Sequence, residues 1–140
     1  MYKTVWLLRR NPAMTREEFV DYYETKHSKL VGHFDGVVRY FRRYPEEGKD
    51  PAGSTGPGKV DFDVVMELWF ESREAFEAAH ARGGEEDEEF WREAAADERR
   101  LFDAASEGWQ TKITIEVEHE TDLSSSTLAT TYERGVSACS

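Results

Sequence analysis

The stretch Phe62–Phe70, FDVVMELWF, places Phe62, Val64, Met66, Leu68 and Phe70 on one parity and Asp63, Val65, Glu67 and Trp69 on the other. Side chains alternate across a β-strand, so this is a strand with one strongly apolar face. Outward from it lie three further strand candidates. Lys3–Arg9 (KTVWLLR) is β-rich and is stopped by Asn11-Pro12; Val37–Tyr44 (VVRYFRRY) ends at Pro45; Lys112–Glu118 (KITIEVE) alternates Ile113, Ile115 and Val117 with polar residues.

Helical signals fall between these strands. Thr15-Arg16-Glu17-Glu18 has the spacing of a capping box, and Phe19, Val20, Tyr23, His27, Leu30, Val31 and Phe34 then form one stripe at 3.6-residue periodicity. Ser72 caps a short helix carrying Ala75, Phe76, Ala79 and His80, broken at Gly83-Gly84. A second helix is predicted over Glu86–Ala105. Its apolar stripe is Phe90, Trp91, Ala94, Ala95, Leu101, Phe102 and Ala105, with Glu98 at its centre and Asp97 at its edge. The order β-α-β-β-α-β is the split βαβ pattern. It predicts an α+β, ferredoxin-like fold, with two helices on one face of a four-stranded antiparallel sheet.

The other sheet face then needs a cover. Val65 and Trp69, with Trp6 and Leu8, are expected to supply its apolar side chains, and a second copy of the chain is the economical way to bury them.

At 140 residues and 39% hydrophobic content, the chain suits a single packed core. The domain is expected over residues 1–122, followed by a Ser/Thr-rich tail or arm over 123–140. Glu46–Lys59, rich in Gly and Pro and without periodicity, is expected to be a long loop, either exposed or folded over a pocket. The formal charge of −11 argues against nucleic acid and anionic membrane surfaces as partners. No apolar run approaches the roughly 20 residues of a membrane span, and no signal-peptide core opens the chain, so a cytoplasmic protein is expected. The lone Cys139 excludes an internal disulfide and a cysteine-based zinc site. The acidic run Glu85–Glu89 is a solvated helix start rather than a metal site. His80 and His119 lack ligand spacing, which disfavours metal or haem, and no Gly-rich phosphate loop or nucleophile elbow is present.

Together, Lys3–Arg10, Met14–Phe19, Tyr22-Tyr23-Glu24 with His27, Val38-Arg39-Tyr40, Val65–Ser72 and Asp97–Asp103 resemble, in that order, the EthD-like family of the dimeric α+β barrel superfamily. The resemblance covers about residues 3–122. It implies a homodimer, a pocket between sheet and helices, and cofactor-independent work on aromatic or polyketide-like molecules by dehydration, decarboxylation or cyclisation. That tailoring chemistry belongs to some relatives, while many have no assigned activity.

Within that frame His27 is a candidate general base or acid, because an imidazole titrates near working pH; the alternative is a core histidine. Glu98 needs a partner, since an ionised carboxylate in an apolar stripe is costly. His27 and Glu98 or Asp97 are therefore expected to divide the acid–base duties, or Glu98 is structurally paired with an Arg or Tyr. Tyr23, Tyr40, Trp69, Phe90 and Trp91 are candidates to line a cavity for a flat aromatic substrate, and otherwise are plain core. Arg39, Arg42 and Arg43 either meet an acidic substrate group or are ordinary strand charges. Two functions follow: a cofactor-independent acid–base enzyme tailoring a phenolic or polyketide-derived molecule, or a non-catalytic small-molecule-binding dimer.

Overall fold

The computed structural model describes residues 1–32, 34–48, 51–53, 60–81 and 85–124, with backbone alone for 85–87. The elements run β1 (Tyr2–Leu8), α1 (Arg16–Tyr22), a π-helical turn (Tyr23–His27), α2 (Ser28–Val31), β2 (Val37–Arg43), β3 (Val64–Phe70), α3 (Arg73–His80), α4 (Glu85–Leu101) and β4 (Gln110–Ile115). The sheet order is β2-β3-β1-β4, with every neighbouring pair antiparallel. This is the ferredoxin-like α+β fold.

The anticipated alternation in β3 holds. Val64, Met66, Leu68 and Phe70 are buried under the helices with Phe19, Tyr23, Val31, Ala79, Leu101 and Phe102. Register then fixes the faces of the other strands, because directly opposed residues of an antiparallel pair point the same way. Tyr2, Thr4, Trp6 and Leu8 of β1 pair with Phe70, Leu68, Met66 and Val64, and so lie on the helix side. Trp6 and Leu8 are thereby corrected: the outer face carries Val5 and Leu7 instead, opposite Glu67 and Val65 and beside Ile113 and Thr111. The apolar residues of KTVWLLR, Val5, Trp6, Leu7 and Leu8, fall on both parities and do not reveal the buried one alone; pairing with β3 does.

A bulge between Val37 and Arg39 in β2 sets Arg39, Phe41 and Arg43 beside Trp69, Glu67 and Val65 on the outer face. Just before it, Gly36 has φ +85°, and a Cβ there would stand 3.3 Å from the Ala75 Cβ, so glycine lets the chain turn tightly against α3. The capping box forms as its spacing predicts. The Glu18 N–H donates to the Thr15 hydroxyl at 3.1 Å, and the Thr15 N–H donates to the Glu18 carboxylate at 3.1 Å.

The first helix departs from its expected regular path: the Ser28 N–H donates to the Tyr23 carbonyl, an i→i+5 bond that widens one turn. The second long helix stops at Leu101, and β4 begins at Gln110, two residues before the predicted start. Most of the 46–59 loop and the tail from residue 125 lie outside the described residues. Among those described, no helix is long and apolar enough to cross a membrane.

Candidate functional site

The site begins with two polar side chains buried where the helices meet. His27, 8% exposed, and Asp97, 6% exposed, are joined by a 2.7 Å hydrogen bond between Nδ1 and Oδ2. An ionised carboxylate only accepts, so Nδ1 carries the proton, and Nε2 is left with a lone pair. Nε2 has no hydrogen-bond partner among the described residues. The ring is held edge-on by Tyr23 at 5.1 Å and Phe102 at 5.4 Å, which restricts its rotation. The second oxygen of Asp97 accepts from the Tyr22 hydroxyl and lies 3.7 Å from an Arg100 nitrogen. A buried carboxylate tolerates its charge only with such partners, and Asp97 has three.

The imidazole forms part of the wall of a cavity of about 270 Å³ between the helices and the inner sheet face. Tyr23, Phe34, Phe90, Trp91 and Phe102 come from the helical layer and its flanks, Trp6, Met66 and Leu68 from the sheet, and Trp109 from the turn before β4. Phe34 packs on Trp91 at 5.2 Å, and Trp109 stacks on Phe102 at 5.6 Å. A lining this aromatic, with few polar groups, suits a flat, largely apolar ligand.

Three of the five predicted lining residues, Tyr23, Phe90 and Trp91, are in the wall. Tyr40 stands one layer behind, donating its hydroxyl to that of Tyr23 at 3.2 Å. Burial pushes the Tyr40 phenol up to about 12 and that of Tyr23 well above the usual value, so both remain neutral donors at working pH. Trp69 is corrected: its parity in β3 puts it on the outer face, against Phe41 at 5.4 Å and under the Lys3 ammonium at 3.8 Å. Arg42 and Arg43 are engaged internally, the first in a bidentate pair with Glu24 at 2.8 Å, the second with Glu67 at 2.7 Å. Sequence reasoning missed Trp6 and Trp109. Trp6 was assigned to the wrong face, and Trp109 precedes the first alternating residue of β4; an aromatic immediately after Gly108 was the available signal.

The expected positions of the two acids on α4 are exchanged. Asp97, placed at the stripe's edge by periodicity, is buried against His27, whereas Glu98 is exposed at the helix surface and contributes to the rim of the cavity. The stripe axis is rotated because Phe90, Trp91, Ala94 and Ala95 are only half buried, around an open cavity rather than in solid core. The Glu98 carboxyl has no hydrogen-bond or ion-pair partner among the described residues, while its backbone carbonyl accepts from the Phe102 N–H at 2.8 Å. Partial burial raises its carboxyl above the ordinary range against the opposing pull of His27, Lys112 and Arg99. Folding therefore favours its protonated form, and stability contributed by Glu98 falls as pH rises from the ordinary glutamate range through the raised value. Glu98→Gln is expected to flatten that part of the pH–stability curve, as read by thermal unfolding between pH 4 and 7.

The EthD domain model matches residues 11–105. The chain belongs to the EthD family. Among solved structures, an EthD-family protein of Bacillus halodurans is 14% identical with a TM-score of 0.57, the match covering 84% of this chain and 100% of that one. A dimeric ferredoxin-like protein of unknown function from Thermobifida fusca is 16% identical, with a TM-score of 0.50 and coverage of 83% and 90%. SnoaB of Streptomyces nogalater, a cofactor-independent oxygenase, is 13% identical, with a TM-score of 0.52 and coverage of 85% and 94%. At such identities the likeness speaks to the fold. No curated protein matches the sequence. The family match spans both His27 and Asp97, so the pair lies within the EthD domain itself.

Proposed function

We propose that this EthD-family chain is a cofactor-independent enzyme that moves protons on a phenolic or polyketide-derived substrate, in a dehydration, cyclisation or decarboxylation. The observation that carries the reading is the 2.7 Å bond from His27 to Asp97 at the wall of an aromatic cavity. Asp97 fixes the tautomer and steadies the imidazolium that forms when Nε2 takes a proton from bound substrate. In this reading Glu98, at the rim of the cavity and with its carboxyl raised above the ordinary range by burial, returns a proton to a departing or newly formed oxygen. The neutral Tyr23 hydroxyl, whose proton is directed at the Met66 sulfur at 3.3 Å, a weak acceptor, can turn to a developing enolate or phenolate as the stronger one. SnoaB, of like fold, is named as a cofactor-independent oxygenase, in keeping with chemistry run by side chains alone.

The working unit in this proposal is a homodimer. Val5, Leu7, Phe41, Val65, Trp69, Ile113 and Ile115 make an apolar outer sheet face that no described element covers, and Ile113 is 41% exposed. The dimeric Thermobifida fusca protein supports the same arrangement.

Binding is tested with 2-naphthol as a bicyclic phenol. Three wall residues, Trp6, Trp91 and Trp109, report occupancy, so saturable quenching of tryptophan fluorescence with a dissociation constant in the micromolar range is expected, about −8 kcal/mol. Quenching that never saturates contradicts an aromatic site. The hydrogen bond by which His27 and Asp97 satisfy each other also fits a non-catalytic binder, which would show the same saturation and no turnover.

A further inference from the structure

We infer that Tyr22 is a positioning residue of the His27–Asp97 pair, placed there by the π-helical turn that separates it from His27. This inference rests on the acid–base reading of the site but is tested without substrate.

Tyr22 and His27 are five residues apart. On an α-helix with 3.6 residues per turn, that spacing leaves two side chains roughly 140° apart, on different faces. Here they reach the two oxygens of one carboxylate: His27 Nδ1 bonds Oδ2, and the Tyr22 hydroxyl bonds Oδ1. The reason is the turn Tyr23–His27, closed by the Ser28 N–H to Tyr23 carbonyl bond. A turn closed over five residues returns the fifth side chain to the side of the first. Regular geometry resumes at Ser28, so the widening is confined to the segment between the two groups that share Asp97.

The chemical consequence has a sign. The phenol O–H draws negative charge from Asp97 toward Oδ1, leaving less on Oδ2 to stabilise an imidazolium at His27. Tyr22 therefore restrains the basicity that Asp97 gives the ring, keeping it able to release the proton it has taken. The other groups around the pair are Arg100, which also draws on Oδ1 at 3.7 Å, Lys26 on the turn, 5.6 Å from the Tyr22 ring, Tyr23 beneath the imidazole, and Glu98 at the rim. Asp97 holds the Tyr22 phenol above its ordinary range, so the donor stays protonated throughout the pH range in which a histidine titrates.

The test is an NMR titration of the His27 ring in the ligand-free protein. Tyr22→Phe keeps the ring and removes the donor; the His27 midpoint is expected to move up by about half a pH unit or more. Site-specific 3-fluorotyrosine at position 22, a stronger donor in the same shape, is expected to move it down, and serves alone if Tyr22→Phe does not fold. A space-filling role would leave the midpoint in place, or lower it in Tyr22→Phe by letting water screen the pair. Either of those results, or an unmoved midpoint with fluorotyrosine, overturns the inference. Failure of catalysis on any substrate leaves this titration unaffected, so the two readings fail separately.

Discussion

His27→Ala is expected to lower the rate of proton transfer on a bound substrate by about 10²–10⁴-fold, the usual worth of a positioned general base, while 2-naphthol binding changes by less than about tenfold. The separation follows from where the imidazole sits. It is one panel of a wall whose aromatic members Trp6, Phe34, Phe90, Trp91, Phe102 and Trp109 supply much of the apolar contact that holds a flat ligand. The protein should remain folded, because Asp97 keeps the Tyr22 hydroxyl and Arg100 as partners once His27 is gone. Losing one hydrogen bond to a charged group and part of the ring packing should cost about 1–3 kcal/mol. His27→Gln is the matched control: its amide offers Asp97 an N–H but has no basic nitrogen for the cavity, and it should be as inactive as alanine with less loss of stability. Single-turnover kinetics alongside thermal unfolding separates the two effects.

A second large effect is expected on the opposite side of the sheet. Leu7→Glu should weaken self-association at least about 100-fold, near 2.7 kcal/mol, leaving a folded monomer. Leu7 lies on central strand β1 between Val65 and Thr111, with no direct cross-strand cation. In the free chain a glutamate there faces water. Between two sheets packed about 10 Å apart it would be an unpaired buried charge, and in a two-fold dimer it would occur twice. Trp69 is a less decisive position for a charge, since a carboxylate there would meet Lys3 and Arg39. Analytical ultracentrifugation reads the outcome. A wild-type monomer at micromolar concentration, or a Leu7→Glu dimer as tight as wild type, contradicts the proposed assembly.

The parts of the fold that were legible from residues are those governed by local periodicity and local chemistry. FDVVMELWF declared its buried face, Thr15 and Glu18 declared a helix start, and four strand patterns in a fixed order declared the topology. What escaped depended on partners distant in sequence. KTVWLLR is apolar on both parities, so only its pairing with β3 assigns Trp6 and Leu8 to the helix side. The acids of α4 were exchanged for a related reason. A stripe computed from periodicity assumes that its centre meets solid core, but this helix packs beside a cavity, and the buried direction turns toward His27. Trp69 was counted as a wall residue on its aromatic character alone, although its alternation with Leu68 and Phe70 already placed it on the other face. The π turn had no signal in the 3.6-residue pattern, because Tyr23 and His27, four apart, fit a regular stripe. The Ser28 N–H to Tyr23 carbonyl bond exposes it, and the shared bonds of Tyr22 and His27 to Asp97 show its consequence.

The central claim is that His27, oriented by Asp97, takes a proton from a carbon or phenolic acid held in the aromatic cavity. Deuterium exchange into 2-tetralone, a bicyclic ketone with acidic C–H bonds flanking its carbonyl, measures that step without requiring the natural substrate. Followed by proton NMR in buffered D₂O, the wild-type protein is predicted to accelerate loss of the C1 proton signal, and His27→Ala to return the rate to that of buffer although 2-tetralone still quenches tryptophan fluorescence. Exchange no faster than buffer with the wild-type cavity saturated, or equal acceleration by wild type and His27→Ala, would contradict it.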